Sequence, residues 1–198
     1  MSSQDIGIFG GTFDPVHIGH LICAQYLCEE LDLSKVIFIP CNQPPHKPGY
    51  KALNPEHRLR MLRLAIEGNP TFEVSDIEIR RGGISYTIDT VKALVQGQCR
   101  GKRIWLLMGL DAFLEIGLWK QPDEIASLCY FGVATRPGFE RKVPLPVLKE
   151  RTRFIPIPAI EVSSTLIRQR LSMGKSIRFL VPENVERYIR RNNLYLNQ

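Results

Sequence analysis

Short apolar runs alternate with stretches of helical periodicity from one end of this chain to the other. That alternation limits the possible folds more than any other feature. The runs are DIGIFGG (5–11), KVIFIP (35–40), TFEVSDIEI (71–79), KRIWLLMG (102–109), CYFGVAT (129–135) and RFIPI (153–157). Their apolar residues lack a clean alternation with polar ones, as expected of strands covered on both faces. Between them, HLICAQYLCEELDL (20–33) places Leu21, Ala24, Leu27, Cys28 and Leu31 on one helical face. PEHRLRMLRLAIEGN (55–69) has Asn54 at the cap, Pro55 at the first position and Gly68 near its end. SYTIDTVKALVQG (85–97) reads as a loop leading into a helix. The tail holds two more helices, SSTLIRQRLSMG and PENVERYIRRNN. The expected fold is an open, doubly wound parallel α/β sheet, Rossmann-like, with C-terminal helices and one domain over 1–198.

Ligands of such sheets bind beyond the carboxyl ends of the strands. The rule selects 10–20, 40–47, 109–111 and Arg136. The chain's unusual residues gather in the same places. After the first strand comes GGTFDPVHIGHL (10–21). It carries neither G-x-G-x-x-G nor G-x-x-x-x-G-K-[ST], which argues against an ordinary dinucleotide binder and a P-loop enzyme. What remains is a tight turn at Gly10 and Gly11, where a backbone without side chains can approach an anion closely. Pro15 stiffens the loop. A helix starting near residues 16–18 puts His17 and His20 in its first turn and on one face. A helix N-terminus offers partial positive charge and unpaired N–H groups, and two imidazoles there make a site for phosphate oxygens. That chemistry is stabilisation of charge on a phosphate during transfer. A zinc site is disfavoured, because no Cys or carboxylate stands beside the histidines at metal-ligand spacing.

Bulk composition narrows the class. The chain has 198 residues, 44% hydrophobic and 23% charged, which describes a globular protein. A net charge of +6 favours anionic partners, yet no basic run is long enough to demand nucleic acid. No apolar run approaches membrane-spanning length, so neither nucleic acid nor a membrane is expected as partner and the cytoplasm is the expected compartment. The five cysteines, Cys23, Cys28, Cys41, Cys99 and Cys129, form no C-x-x-C pair and read as free, buried thiols. Oligomeric state is open, and a homo-oligomer is compatible with the sequence.

GGTFDPVHIGH resembles the H-x-G-H signature of the nucleotidyltransferase superfamily, and most closely that of the bacterial nicotinate-mononucleotide adenylyltransferases. The resemblance extends over nearly the whole chain through PPHK (44–47), SYTIDT (85–90), MGLD (108–111) with Trp119 downstream, TRPG (135–138) and VSSTLIR (162–168), with Val162 where that family usually has Ile. It implies transfer of the adenylyl group of ATP to the 5′-phosphate of nicotinate mononucleotide, giving deamido-NAD and pyrophosphate. Mg²⁺ would accompany ATP, held mainly by phosphates and water because no carboxylate cluster is visible.

Roles follow block by block. Gly10, Gly11, Thr12, Phe13, His17 and His20 would bind ATP. Ser163, Ser164, Thr165 and Arg168 would form a second phosphate cradle at a helix start, Arg168 clamping phosphate through its planar fork. His17, His20, Lys47 and Arg168 would be catalytic. Lys47 would swing onto substrate phosphate from a loop stiffened by prolines. Lys47, Tyr86, Thr87, Asp111, Trp119 and Arg136 would hold the mononucleotide. The N–H groups near Tyr86 and Thr87 would donate to the nicotinate carboxylate, Asp111 would meet ribose hydroxyls, and Trp119 would stack on the pyridine. Residue chemistry alone leaves plainer alternatives: Ser85 or Thr87 as a helix cap, Asp111 as a cap, Trp119 in the core, and His46 merely exposed. It also leaves open which of Arg58, Arg60 and Arg63 reaches the site. A sister transferase acting on phosphopantetheine, or a nucleotide sensor without turnover, are the competing functions.

Overall fold

The computed structural model describes residues 4–45, 51–135 and 143–196. Six strands form one all-parallel sheet: β1 (Ile6–Gly11), β2 (Lys35–Pro40), β3 (Phe72–Val74), β4 (Ile104–Gly109), β5 (Tyr130–Thr135) and β6 (Thr152–Pro156). The helices are α1 (Ile18–Glu30), α2 (Pro55–Ala65), α3 (Ile77–Arg81), α4 (Thr87–Gln96), α5 (Leu110–Leu114), α6 (Pro122–Leu128), α7 (Ser164–Ser172) and α8 (Glu183–Arg191).

Strand order is β3-β2-β1-β4-β5-β6. The chain winds outward from β1 through β2 to β3, then returns to the other side of β1 for β4. The switch point therefore lies between β1 and β4, where Ile6, Gly7 and Ile8 pair with Ile104, Trp105 and Leu106. A crevice opens at the carboxyl ends of strands that part in this way.

Strand residues divide by parity between two cores. Ile6, Ile8, Ile37, Ile39, Ile104, Leu106 and Met108 face the layer that holds α4, α5 and α6. Phe9, Val36, Phe38, Trp105 and Leu107 face the layer built by α1, α2, α7 and α8. Burial on both faces explains the continuous apolar runs. The doubly wound expectation is met.

Two local differences have physical causes. TFEVSDIEI is not one strand: β3 ends at Val74, and Ile77–Arg81 is a helical turn. The parity of the apolar residues changes across Ser75-Asp76, the Asp76 carboxylate pairs with Arg80 at 2.8 Å, and Gly82 at φ 71 ends the turn. The helix α6 was not anticipated. It is short, Pro122 occupies its first turn, and only Ile125 and Ala126 are buried in it. Among the described residues no helix is long and apolar enough to cross a membrane.

Candidate active site

Two cavities open at the carboxyl ends of β1 and β4. The first, about 300 Å³, is lined by Gly10, Gly11, Thr12, Ser85, Thr87 and Trp119, with Glu78, Thr90 and Cys41 also on its wall. The second, about 230 Å³, is lined by Gly19, Cys23, Asp111, Thr135, Ile157 and Ile160. Residues 12–19, which carry His17, run from one cavity to the other. The β1–α1 turn thus stands between two chambers at the switch point.

Sequence places that turn tightly. His17 is the N-cap of α1, in extended backbone, and His20 is the third helical residue. Their rings stack with centroids 3.7 Å apart. Gly19 makes this possible: a Cβ there would lie 3.1 Å from His17 Nδ1. The His17 backbone N–H donates to His20 Nδ1 at 3.2 Å, so the proton of a neutral His20 ring sits on Nε2. His17 is 7% exposed, and its buried Nδ1 has no hydrogen-bond partner among the described residues. Burial lowers the His17 pKa from 6.5 to about 4. Burial, and then the neighbouring His17, hold His20 well below its ordinary value. Both rings are therefore neutral at physiological pH in the free protein. Each presents one N–H, and the charge of an arriving phosphate would raise both pKa values.

The loop beneath the histidines is held from several directions. Phe13 is buried against Phe9, Phe38 and the edge of His20, so what it can offer a nucleotide is its backbone. Asp14, 2% exposed, takes a 2.6 Å hydrogen bond from the Tyr195 hydroxyl and a 3.2 Å one from Leu53 N–H. Arg168 donates to the Asp14 carbonyl at 2.7 Å and to Thr165 Oγ1 at 3.3 Å. Ser164 donates to the Pro15 carbonyl at 2.9 Å, and Ser163 caps its own helix through Leu166 N–H. The hydroxyls expected to cradle phosphate are thus engaged in capping α7 and fastening it to the loop, while Arg168 stays partly exposed at the junction.

Arg58 answers a question the sequence left open. It is fully buried, and its guanidinium donates to the carbonyls of Leu53, Thr12 and Asn42 at 2.9, 2.7 and 3.1 Å. It fixes the backbone of the first cavity from behind, while Arg60 and Arg63 are exposed. Helical spacing hinted at this, since Arg58 lies between His57 and the buried Leu59, but three arginines in six residues read as a solvated face. Tyr195 was missed entirely; a tail residue 181 positions from its partner gives no local signal.

The mononucleotide group divides. Thr87 and Trp119 line the first cavity. Tyr86 is the N-cap of α4 and lies under Lys120, whose Nζ is 4.5 Å from the ring centroid. Asp111 lines the second cavity with Gly19, apart from Trp119 on the wall of the first. It makes no side-chain cap there. Neither Ser85 nor Thr87 caps α4, whose start has no side-chain cap at all. Ser85 Oγ instead accepts from Asn42 N–H at 2.9 Å. Lys47 and Arg136, with His46, lie outside the described residues.

Among the described residues no group of three or more His, Cys, Asp or Glu could hold a metal. The five cysteines are all buried and unpaired by disulfide, and burial raises Cys23 and Cys129 to about 12, which disfavours the thiolate a nucleophile would need.

Comparison with known proteins agrees with this geometry. Residues 8–170 match the family model described as Cytidylyltransferase-like. A protein of Thermomicrobium roseum described as "Probable nicotinate-nucleotide adenylyltransferase" is 44% identical over 195 residues, covering 96% of this chain and 91% of its own. One of the same description from Desulfitobacterium hafniense is 45% identical over 200 residues, covering 96% and 95%. A solved structure, Plasmodium falciparum nicotinic acid mononucleotide adenylyltransferase complexed with NaAD, superposes with a TM-score of 0.78 at 19% identity over 97% of both chains, which establishes likeness of fold. The buried H-x-G-H turn, the six-stranded parallel sheet and these relatives give one result: the chain belongs to the nicotinate-nucleotide adenylyltransferases of the cytidylyltransferase-like family.

Proposed function

We propose that this chain transfers the adenylyl group of ATP to the 5′-phosphate of nicotinate mononucleotide. The carrying observation is the pair of cavities on either side of the β1–α1 turn. Two substrates seated in them would meet over the segment that bears His17 and His20. The first cavity, with the uncapped start of α4 and Trp119, suits the pyridine carboxylate and ring. The second, with Gly19 and Asp111, suits the ribose and base of ATP, and Asp111 moves to that subsite in this reading.

An oxygen of the mononucleotide phosphate attacks the α-phosphorus of ATP. The bond from that phosphorus to the oxygen bridging to the β-phosphate breaks, and pyrophosphate leaves. The nucleophile is already anionic, so no strong base is required; alignment and charge stabilisation carry the reaction. His20 Nε2–H and the His17 ring would donate to the α-phosphate oxygens as charge builds. Arg168, at the start of α7, would reach the triphosphate from the other side. Lys47 is proposed to meet phosphate from its loop, and Arg136 to hold the mononucleotide. Mg²⁺ fits as a companion of ATP, held by phosphate oxygens and water, since the described residues form no carboxylate cage. When bound it offsets charge on the phosphates.

The test uses ATP labelled at the α-phosphorus together with nicotinate mononucleotide. Label in the dinucleotide, with one equivalent of pyrophosphate, supports the reading. Label released as free AMP or ADP without dinucleotide would refute it.

A further inference from the structure

Glu78 is a carboxylate on the wall of the first cavity that the reaction does not use. It sits on α3, is 7% exposed and, among the described residues, forms no ion pair with a lysine or arginine. Its partners are hydroxyls. Thr90 Oγ1 donates to Glu78 Oε1 at 2.6 Å, and the nearby Ser85 hydroxyl helps stabilise the same carboxylate. Arg81 stands one step away, donating to Thr90 Oγ1 at 3.1 Å.

The two hydroxyls bracket the start of α4. Ser85 precedes the N-cap Tyr86, and Thr90 is in the first turn, with its N–H on the Tyr86 carbonyl. Ser85 is also tied outward: its Oγ accepts from Asn42 N–H, its own N–H donates to Gln43 O at 2.9 Å, and Asn42 Nδ2 donates to Gly83 O at 2.9 Å. The carboxylate therefore holds the Thr90 end of the turn directly, and lies beside the Ser85 end that Asn42 and Gln43 hold. A helix start leaves its first N–H groups without intrahelical partners, and among the described residues no side chain caps this one.

We propose that Glu78 is the positioning residue of the mononucleotide subsite: by gripping the Thr90 hydroxyl, beside a Ser85 held by Asn42, it orients the 86–88 N–H groups as a rigid donor set, and that rigidity sets selection of a carboxylate over a carboxamide on the pyridine ring. The proposal rests on the mononucleotide reading above. With Thr90 on Glu78 and Ser85 on Asn42, neither hydroxyl is left to the ligand. Only N–H donors then face the incoming group, and an amide NH₂ would meet donors with a donor. Burial pushes the Glu78 pKa up, and its hydroxyl partners pull it back.

The experiment measures kcat and KM for nicotinate mononucleotide, its amide and ATP in the wild type, Glu78→Ala and Glu78→Gln. Glu78→Ala should raise KM for the acid about 10-fold or more, move KM for ATP less than about 3-fold, and shrink the acid-to-amide ratio of kcat/KM. Glu78→Gln, which keeps an acceptor for Thr90, should recover most of the loss. If Glu78→Ala does not fold, Thr90→Val and Ser85→Ala should each show the same split, and together should be less than multiplicative. Equal changes in both KM values, or an unchanged acid-to-amide ratio in a folded variant, would overturn the role. A wild type with no preference for the acid would instead overturn the reading of the subsite, before any variant is made.

Discussion

His20 is shaped by two neighbours, Phe13 against its edge at 5.0 Å and His17 stacked at 3.7 Å, and its Nδ1 is committed to the His17 backbone N–H. Only Nε2 is left to act. A donor fixed in this way stabilises developing charge more than it binds the ground state, so His20→Ala should lower kcat about 100-fold with a smaller change in the KM for ATP. Steady-state kinetics at saturating nicotinate mononucleotide checks this, and near-normal kcat would contradict it. His17 carries a different consequence. Its pKa is about 4 in the folded chain and 6.5 in the unfolded one. The unfolded state binds more protons between those values, so stability present above pH 6.5 is lost as pH falls toward 4. At pH 5 the loss from this ring is about 2 kcal/mol. Urea unfolding at pH 7.5 and pH 5 should therefore show a smaller acid penalty in His17→Gln than in the wild type. An equal penalty in both would show that the ring is not held neutral by burial.

At the scale of elements, the active-site loop is a joint between distant segments. Residues 14 and 15 receive Arg168 and Ser164 from α7, Tyr195 from the tail and Leu53 from the lead into α2. Tyr195→Phe removes a buried hydrogen bond to a carboxylate, worth roughly 2 kcal/mol, and should lower Tm by about 5 °C in a chain of this size. A thermal melt with no shift would show that the Tyr195 hydroxyl contributes nothing to the joint. These elements also show what a sequence can reveal. The strands of the central sheet were legible because burial on both faces leaves continuous apolar runs. The α2 start was legible because Asn54 and Pro55 are local signals, and Asn54 does cap, accepting from Glu56 N–H. The α3 turn is hard to read because a parity change across Ser75-Asp76 and one i,i+4 pair are weak signals, and its Glu78 meets a partner twelve residues on. Ser85 has the chemistry of a cap, but its hydroxyl is spent on Asn42 N–H, forty-three residues away in sequence. Asp111 lines a different cavity from Trp119, a separation that spacing after β4 does not encode. Arg58 and Tyr195 depend on contacts that no local pattern encodes.

At the scale of the molecule, the strand order divides the crevice. Reversal of winding at β1 gives one chamber under α3 and α4 and another beside α1 and α5, with the histidine turn between them. On the proposed function, the same arrangement separates recognition from chemistry: the first chamber would select the acceptor, and the turn would act on phosphate whichever acceptor is present. Changes in the first chamber should therefore alter acceptor choice before they alter catalysis. The most direct test of the account is kcat/KM, followed by pyrophosphate release at fixed saturating Mg-ATP, for nicotinate mononucleotide, its amide and phosphopantetheine. The account predicts the acid first, the amide lower by up to about 10⁴-fold and phosphopantetheine inactive. Equal rates for acid and amide, or turnover with phosphopantetheine matching that of the acid, would contradict it.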